Sequence, residues 1–195
     1  TKMTLSSGGN LTVTGVGTFA SLDISGDIDI DGTSNLDIID VDGAANFAAD
    51  VTFADGADII TASAGTSNLR LGVNAGNSIQ SGGNDNTVIG DEAGTAITTG
   101  DSNTLVGKEA GDALTTGGYN VAVGHLALSG EDEANNNVAV GYAALRVLNG
   151  GTQNVAVGQS AGAAMTTGGQ NTVIGTNAGD ALTDGNQNVA VGYQS

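Results

Sequence analysis

The residues that could do chemistry are few and of four kinds. Asp27-Ile28-Asp29-Ile30-Asp31-Gly32 has the opening of a calcium loop, in which carboxylates at alternate positions face one hard cation. A bidentate acid belongs at the twelfth position of such a loop, and Ile38 stands there. Ile28 and Ile30 also alternate as the buried side of a strand would, which aims Asp27, Asp29 and Asp31 at solvent. A solvated acidic strand is therefore expected, with calcium at these three residues as the alternative. Threonines recur at Thr98, Thr99, Thr115, Thr116, Thr166, Thr167 and Thr183, and a regular hydroxyl array can order water or ice. Asp132, Glu133, Asn149 and Gly150 interrupt this array, so a solvated strand edge is the expectation. His125 is the single histidine and has no Ser or Cys partner at a motif-like spacing. Carboxylates are plentiful, but no pair is marked out for acid–base work. The residues point away from an enzyme.

Composition narrows the field further. The chain has 195 residues, with 33 Gly, no Pro, Cys or Trp, and a formal charge of −17. Without cysteine there are no disulfides, thiolate metal sites or thiol nucleophiles. Such an acidic chain is repelled by nucleic-acid phosphates and by anionic membrane surfaces, so neither is an expected partner. No apolar run approaches the roughly 20 residues that span a bilayer as a helix. High Gly content and charge are compatible with disorder, but 39% of residues are hydrophobic and their placement is regular.

That regularity is a repeat. Asn-x-x-apolar-Gly begins at Asn86, Asn103, Asn120, Asn137, Asn154, Asn171 and Asn188, always 17 residues apart, and a diverged copy begins at Asn68. Counting Asn as position one, position two is Thr or Val. Position three is Val88, Leu105, Ala122, Ala139, Ala156, Val173 or Ala190. Position four is always β-branched: Ile89, Val106, Val123, Val140, Val157, Ile174 and Val191. Gly follows at position five, and Ala fills position eight in six copies. A second apolar site recurs at Ile97, Leu114, Leu148, Met165 and Leu182. Ser129-Gly130-Glu131-Asp132-Glu133 replaces it in one copy, and Arg146 in the next could face that acidic stretch.

These features predict an all-β fold: a β-solenoid or β-roll of 17-residue coils over 68–195, eight coils with the last incomplete. Identical residues stack at about 4.8 Å per coil, so the Asn residues at position one can form an amide ladder. Strand alternation puts positions two and four on one side and three on the other. The β-branched residues at position four are expected to fill the coil interior as its core. Small Ala at position three is expected to admit a neighbouring chain. Residues 1–67 lack the period but alternate, as in Leu11/Val13, Leu22/Ile24, Leu36/Ile38 and Val51/Phe53, between acidic residues and glycines. They read as short strands with too little apolar area for a core of their own, and association of several chains would supply it.

Asn120-Val121-Ala122-Val123-Gly124 and its counterparts resemble the strand motif of trimeric autotransporter adhesin heads, although the unit here is longer. Segments such as Asn10-Leu11-Thr12-Val13-Thr14-Gly15, Asp31-Gly32-Thr33-Ser34-Asn35-Leu36-Asp37, Gly175-Thr176-Asn177-Ala178-Gly179-Asp180-Ala181-Leu182-Thr183 and Val191-Gly192-Tyr193-Gln194-Ser195 are similar to tail-fibre proteins of aquatic bacteriophages. The resemblance implies a homotrimeric shaft segment of a phage tail fibre, on the virion. Its implied partners are other fibre or tail proteins, and a host receptor reached through a tip outside this chain. A bacterial surface adhesin is the alternative, and a calcium- or ice-binding solenoid a further one. The chain starts at Thr1 without Met and stops at position eight of its last copy, which reads as a fragment of something longer.

Overall fold

A computed structural model describes residues 2–5, 11–14, 64–130, 133 and 135–195. The chain divides into two compact units, Thr1–Thr52 and Phe53–Ser195. In the first, β1 (Lys2–Leu5) and β2 (Leu11–Thr14) pair antiparallel, with Lys2 opposite Thr14 and Leu5 opposite Leu11.

The second unit is a β-solenoid. Eight three-residue strands form one parallel sheet in strict chain order. They are β3 (Leu69–Leu71), β4 (Thr87–Ile89), β5 (Thr104–Val106), β6 (Val121–Val123), β7 (Val138–Val140), β8 (Val155–Val157), β9 (Thr172–Ile174) and β10 (Val189–Val191). The register places like on like, Val121 on Val138 and Ala122 on Ala139, so the 17-residue period becomes a set of columns along the axis. Backbone bonds continue the ladder past each strand, as where Val121 N donates to Asn137 O and Gly124 N to Val106 O, both at 2.8 Å.

Glycine at position five makes this stacking possible. At Gly107 φ is 133°, and an added Cβ would lie 2.7 Å from the carbonyl of Gly124 in the next coil. No other residue meets both conditions without shifting the coil spacing.

The side of the strand that faces inward is the reverse of the sequence expectation. Val88, Leu105, Ala122, Ala139, Ala156 and Val173, all at position three, are fully or almost fully buried, and they pack with Ala93, Ala110, Ile97, Leu114, Leu148 and Met165. Ile89, Val106, Val123, Val140, Val157, Ile174 and Val191 are not this core. The first four are half-buried on the outer face, while Val157, Ile174 and Val191 are 37%, 39% and 63% exposed. The physical reason is parity. Asn at position one points inward to satisfy its amide, position three shares its side of the strand, and positions two and four must therefore point out.

In five of the six coils whose position three is buried, interior volume is shared between positions three and nine; the Asn154 coil is small at both, with Ala156 and Gly162, and there Leu145 of the preceding coil and Met165 approach Gly162. Where position three is Val88, Leu105 or Val173, position nine is Gly94, Gly111 or Gly179. A Cβ at Gly111 would meet the Leu105 methyls at 2.9 and 3.0 Å, and one at Gly179 would meet a Val173 methyl at 2.9 Å. Where position three is Ala122 or Ala139, Leu128 or Leu145 occupies position nine and is fully buried. Among the described residues there is no helix.

Candidate functional site

Two features run along the axis: the inner column of asparagines and the outer face of the strands. Asn68, Asn86, Asn103, Asn120, Asn137, Asn154 and Asn171 are buried, and only the last member, Asn188, is exposed. Each Oδ1 accepts twice from the next coil, once from the backbone N–H and once from the side-chain amide of the following Asn. For Asn137 these bonds are 2.9 and 3.1 Å from Asn154. The Nδ2 group donates its other proton within its own coil, Asn86 to Gly100 O at 2.8 Å and Asn154 to Gly168 O at 2.8 Å. A carboxamide offers two donors and one oxygen with two lone pairs, so an Asn such as Asn154 is completely satisfied. The amides all point the same way, and each bond polarises the next. Aspartate would lose both donors, and glutamine would not fit the same column.

The outer face consists of two ranks of β-branched side chains. Thr87, Thr104, Val121, Val138, Val155, Thr172 and Val189 form one rank, and the seven residues at position four form the other. Exposure rises to 75% at Val189. On one flank, the amide of Gln170 donates to Gln153 and that of Gln187 to Gln170, at 3.2 and 3.1 Å.

At position six, beyond the strand's other end, lies an electrostatic ladder. Lys108 Nζ is 3.1 Å from both Asp91 Oδ2 and Glu109 Oε1, and His125 Nε2 is 3.6 Å from Glu109 Oε2. The His125 ring lies against Tyr142 with centroids 5.6 Å apart. Hydrogen bonds to Glu109 and then Asp91 hold the proton on Lys108 and raise its pKa. His125 is exposed and stands in this surface column.

Asp112, at position ten of the Asn103 coil, carries the one buried side-chain oxygen without a hydrogen-bond partner among the described residues, its Oδ1. Desolvation, followed by repulsion from Glu109, raises its pKa.

The remaining sequence candidates separate cleanly. Asp27, Asp29 and Asp31 lie outside the described residues, and among those described no group of three acidic, His or Cys side chains could hold a metal ion. Thr98 and Thr166 turn their hydroxyls onto the carbonyls of Thr115 and Thr183, at 3.2 and 3.1 Å, so these threonines brace adjacent coils. Arg146 makes no ion pair with any described residue. No helix among the described residues is long and apolar enough to cross a membrane. Two features escaped the sequence reading: the outward direction of positions two and four, and the exchange of volume between positions three and nine. Parity with the inward Asn could have revealed the first, and the inverse sizes at three and nine the second. Neither protein-family models nor curated proteins nor solved structures give a match to this chain.

Proposed function

We propose that the chain is a structural shaft segment of a homotrimeric phage tail fibre, in which copies of the solenoid lie parallel and bury their outer strand faces against one another. Its work is mechanical rather than enzymatic: it holds a host-recognition tip away from the virion. The observation that carries this reading is the outer face itself. Two unbroken ranks of Thr, Val and Ile run the length of the stack. At about 4.8 Å per coil they cover roughly 35 Å of axis. A lone soluble rod gains nothing from an apolar stripe of this kind, whereas burial contributes about 25 cal/mol per Å². The interior needs no partner chain, since position three and the Asn column fill it. Like columns on each copy give a parallel assembly the same contact at every coil.

Sedimentation of the native protein, with and without chelator, tests this. Three chains of 18.9 kDa, about 57 kDa in all, should sediment together whether or not chelator is present. A stable 18.9 kDa monomer overturns the assembly. A mass that falls with chelator would move the calcium alternative at Asp27, Asp29 and Asp31 to the front.

A further inference from the structure

One stretch differs from the rest of this acidic chain. From Ala134 to Gly179 there is no Asp or Glu, and Arg146 is the only charged residue. On the same stretch the surface opens into a notch of about 340 Å³, lined by Arg146, Val147, Ser160, Ala163, Ala164 and Asp180, with Asn177 beside them. The repeat explains its shape. Arg146, Ala163 and Asp180 occupy position ten of three successive coils, and Val147 and Ala164 occupy position eleven of the first two. The coil in the middle has only methyl groups there, between a long cation on one side and a carboxylate on the other. Two coil spacings separate the backbones of Arg146 and Asp180 by roughly 10 Å.

This wall of the coil is not the one that carries the strands. In the interior, position nine looks onto both position twelve and position three: a Cβ at Gly94 would touch Ile97 at 2.8 Å, Leu105 at 2.9 Å and Val88 at 3.2 Å. The notch residues occupy positions seven, ten and eleven, so burial of the outward positions two and four between copies does not use them.

We infer that the notch between Arg146 and Asp180 binds a carboxylate-bearing sugar residue of the hexuronic acid kind. Arg146 is exposed, makes no ion pair with a described residue, and presents a planar donor fork that matches a carboxylate. The methyls of Ala163 and Ala164 offer a flat apolar floor to the C–H face of a pyranose ring. Ser160, Asn177 and Asp180 line the far side with hydroxyl, amide and carboxylate groups, which exchange hydrogen bonds with ring hydroxyls. A dianionic phosphate fits worse, because Asp180 would repel it. Repulsion from the acidic coils is weakened by screening over about 8 Å at physiological salt. The inference does not rest on the fibre reading, and it holds for a monomer or a trimer.

The experiment is a titration of the native protein with tri-galacturonate, followed by backbone amide NMR or calorimetry, beside a neutral trisaccharide and sodium acetate. Saturable shifts confined to the coils between Arg146 and Asp180 are expected. Arg146→Gln should weaken binding about tenfold through the lost charged hydrogen bonds. Ala163→Leu fills the floor and should weaken it at least as much, with Arg146 intact. The neutral trisaccharide should also bind about tenfold more weakly than tri-galacturonate. Circular dichroism of both variants checks that the coil is unchanged. The inference is overturned by an absence of saturable binding, by equal binding of acetate or an acidic peptide, or by unaltered binding in either variant.

Discussion

The coils that begin at Asn103 and Asn120 pair their strands in register and share a left-handed position nine, yet they fill the space between from opposite sides. In the first, Leu105 enters from the strand and Gly111 yields space; in the second, Ala122 withdraws and Leu128 enters from the far wall. The cost is unequal. Leu128 and Leu145 sit at φ of 55° and 50°, a left-handed conformation that glycine adopts freely and leucine resists. That strain is on the order of 1–2 kcal/mol, against about 1.5–3 kcal/mol for burying a leucine side chain. Burial outweighs or matches strain, so both solutions survive in one stack. The comparison teaches that the coil's cross-section is set by the Asn column and the position-five glycines. Core residues have only to supply the right volume within it.

The most damaging change to this arrangement is Gly111→Leu, which places two leucines in a cross-section built for one. Overpacking and left-handed strain together should cost about 3 kcal/mol or more and be visible as a lower thermal midpoint. The double variant Leu105→Ala/Gly111→Leu gives the coil the interior of the Asn137 coil, where Ala139, Leu145 and Leu148 stand at positions three, nine and twelve, and should recover most of that loss. Failure to recover would mean that the two kinds of coil are not interchangeable.

The reverse experiment is milder. Leu145→Gly opens a void, for which a loss of about 2–4 kcal/mol is expected after relief of the strain at φ 50°. Adding Ala139→Leu should restore part of it, in a calorimetric double-mutant cycle.

Outside the interior the two kinds of coil should behave alike. Val106→Asp and Val123→Asp, one in each, lie outside the buried core and should dissociate the proposed trimer to monomer in sedimentation while far-UV circular dichroism is kept. A collapse of the coil itself in either variant would return position four to the interior.

The smallest effect concerns Asp112, whose partly buried carboxyl titrates above its ordinary range. An acid with a raised folded-state pKa is most stabilising when protonated, so its contribution is lost as pH rises from the unfolded value through the folded one. Asp112→Asn should therefore raise the melting temperature modestly at neutral pH, with no gain below about pH 4. An equal gain at both pH values would remove desolvation as the cause.

Much of this architecture was legible in the sequence, because a stacked fold writes each column as a residue recurring every 17 positions. The parallel sheet, the coil length and the place of the asparagines all come from that one regularity. The inner side of the strand did not. Val121, Ala122 and Val123 are all apolar, so alternation alone cannot choose between them, and β-branching favours a strand without saying which face is buried. The notch at Arg146 was out of reach for a different reason. It exists only because Ala163 and Ala164 lie between residues 17 positions away on either side. A linear reading sees two alanines and an isolated arginine.

The strict chain order of the parallel sheet fixes how the molecule fails under load. The first and last coils lie at opposite ends of the sheet, and each coil bonds only to its neighbours. Under tension along the axis a terminal coil, held by a neighbour on one side only, is therefore the first to yield, and it is unpicked like the last row of knitting. Each event frees 17 residues, which extend to about 55–60 Å in place of the roughly 5 Å that the coil occupied. A single molecule stretched between its ends should give a sawtooth of evenly spaced rips about 50 Å long. The rod would then be stiff up to a threshold force and yield in counted steps beyond it, a shock absorber assembled from its own period.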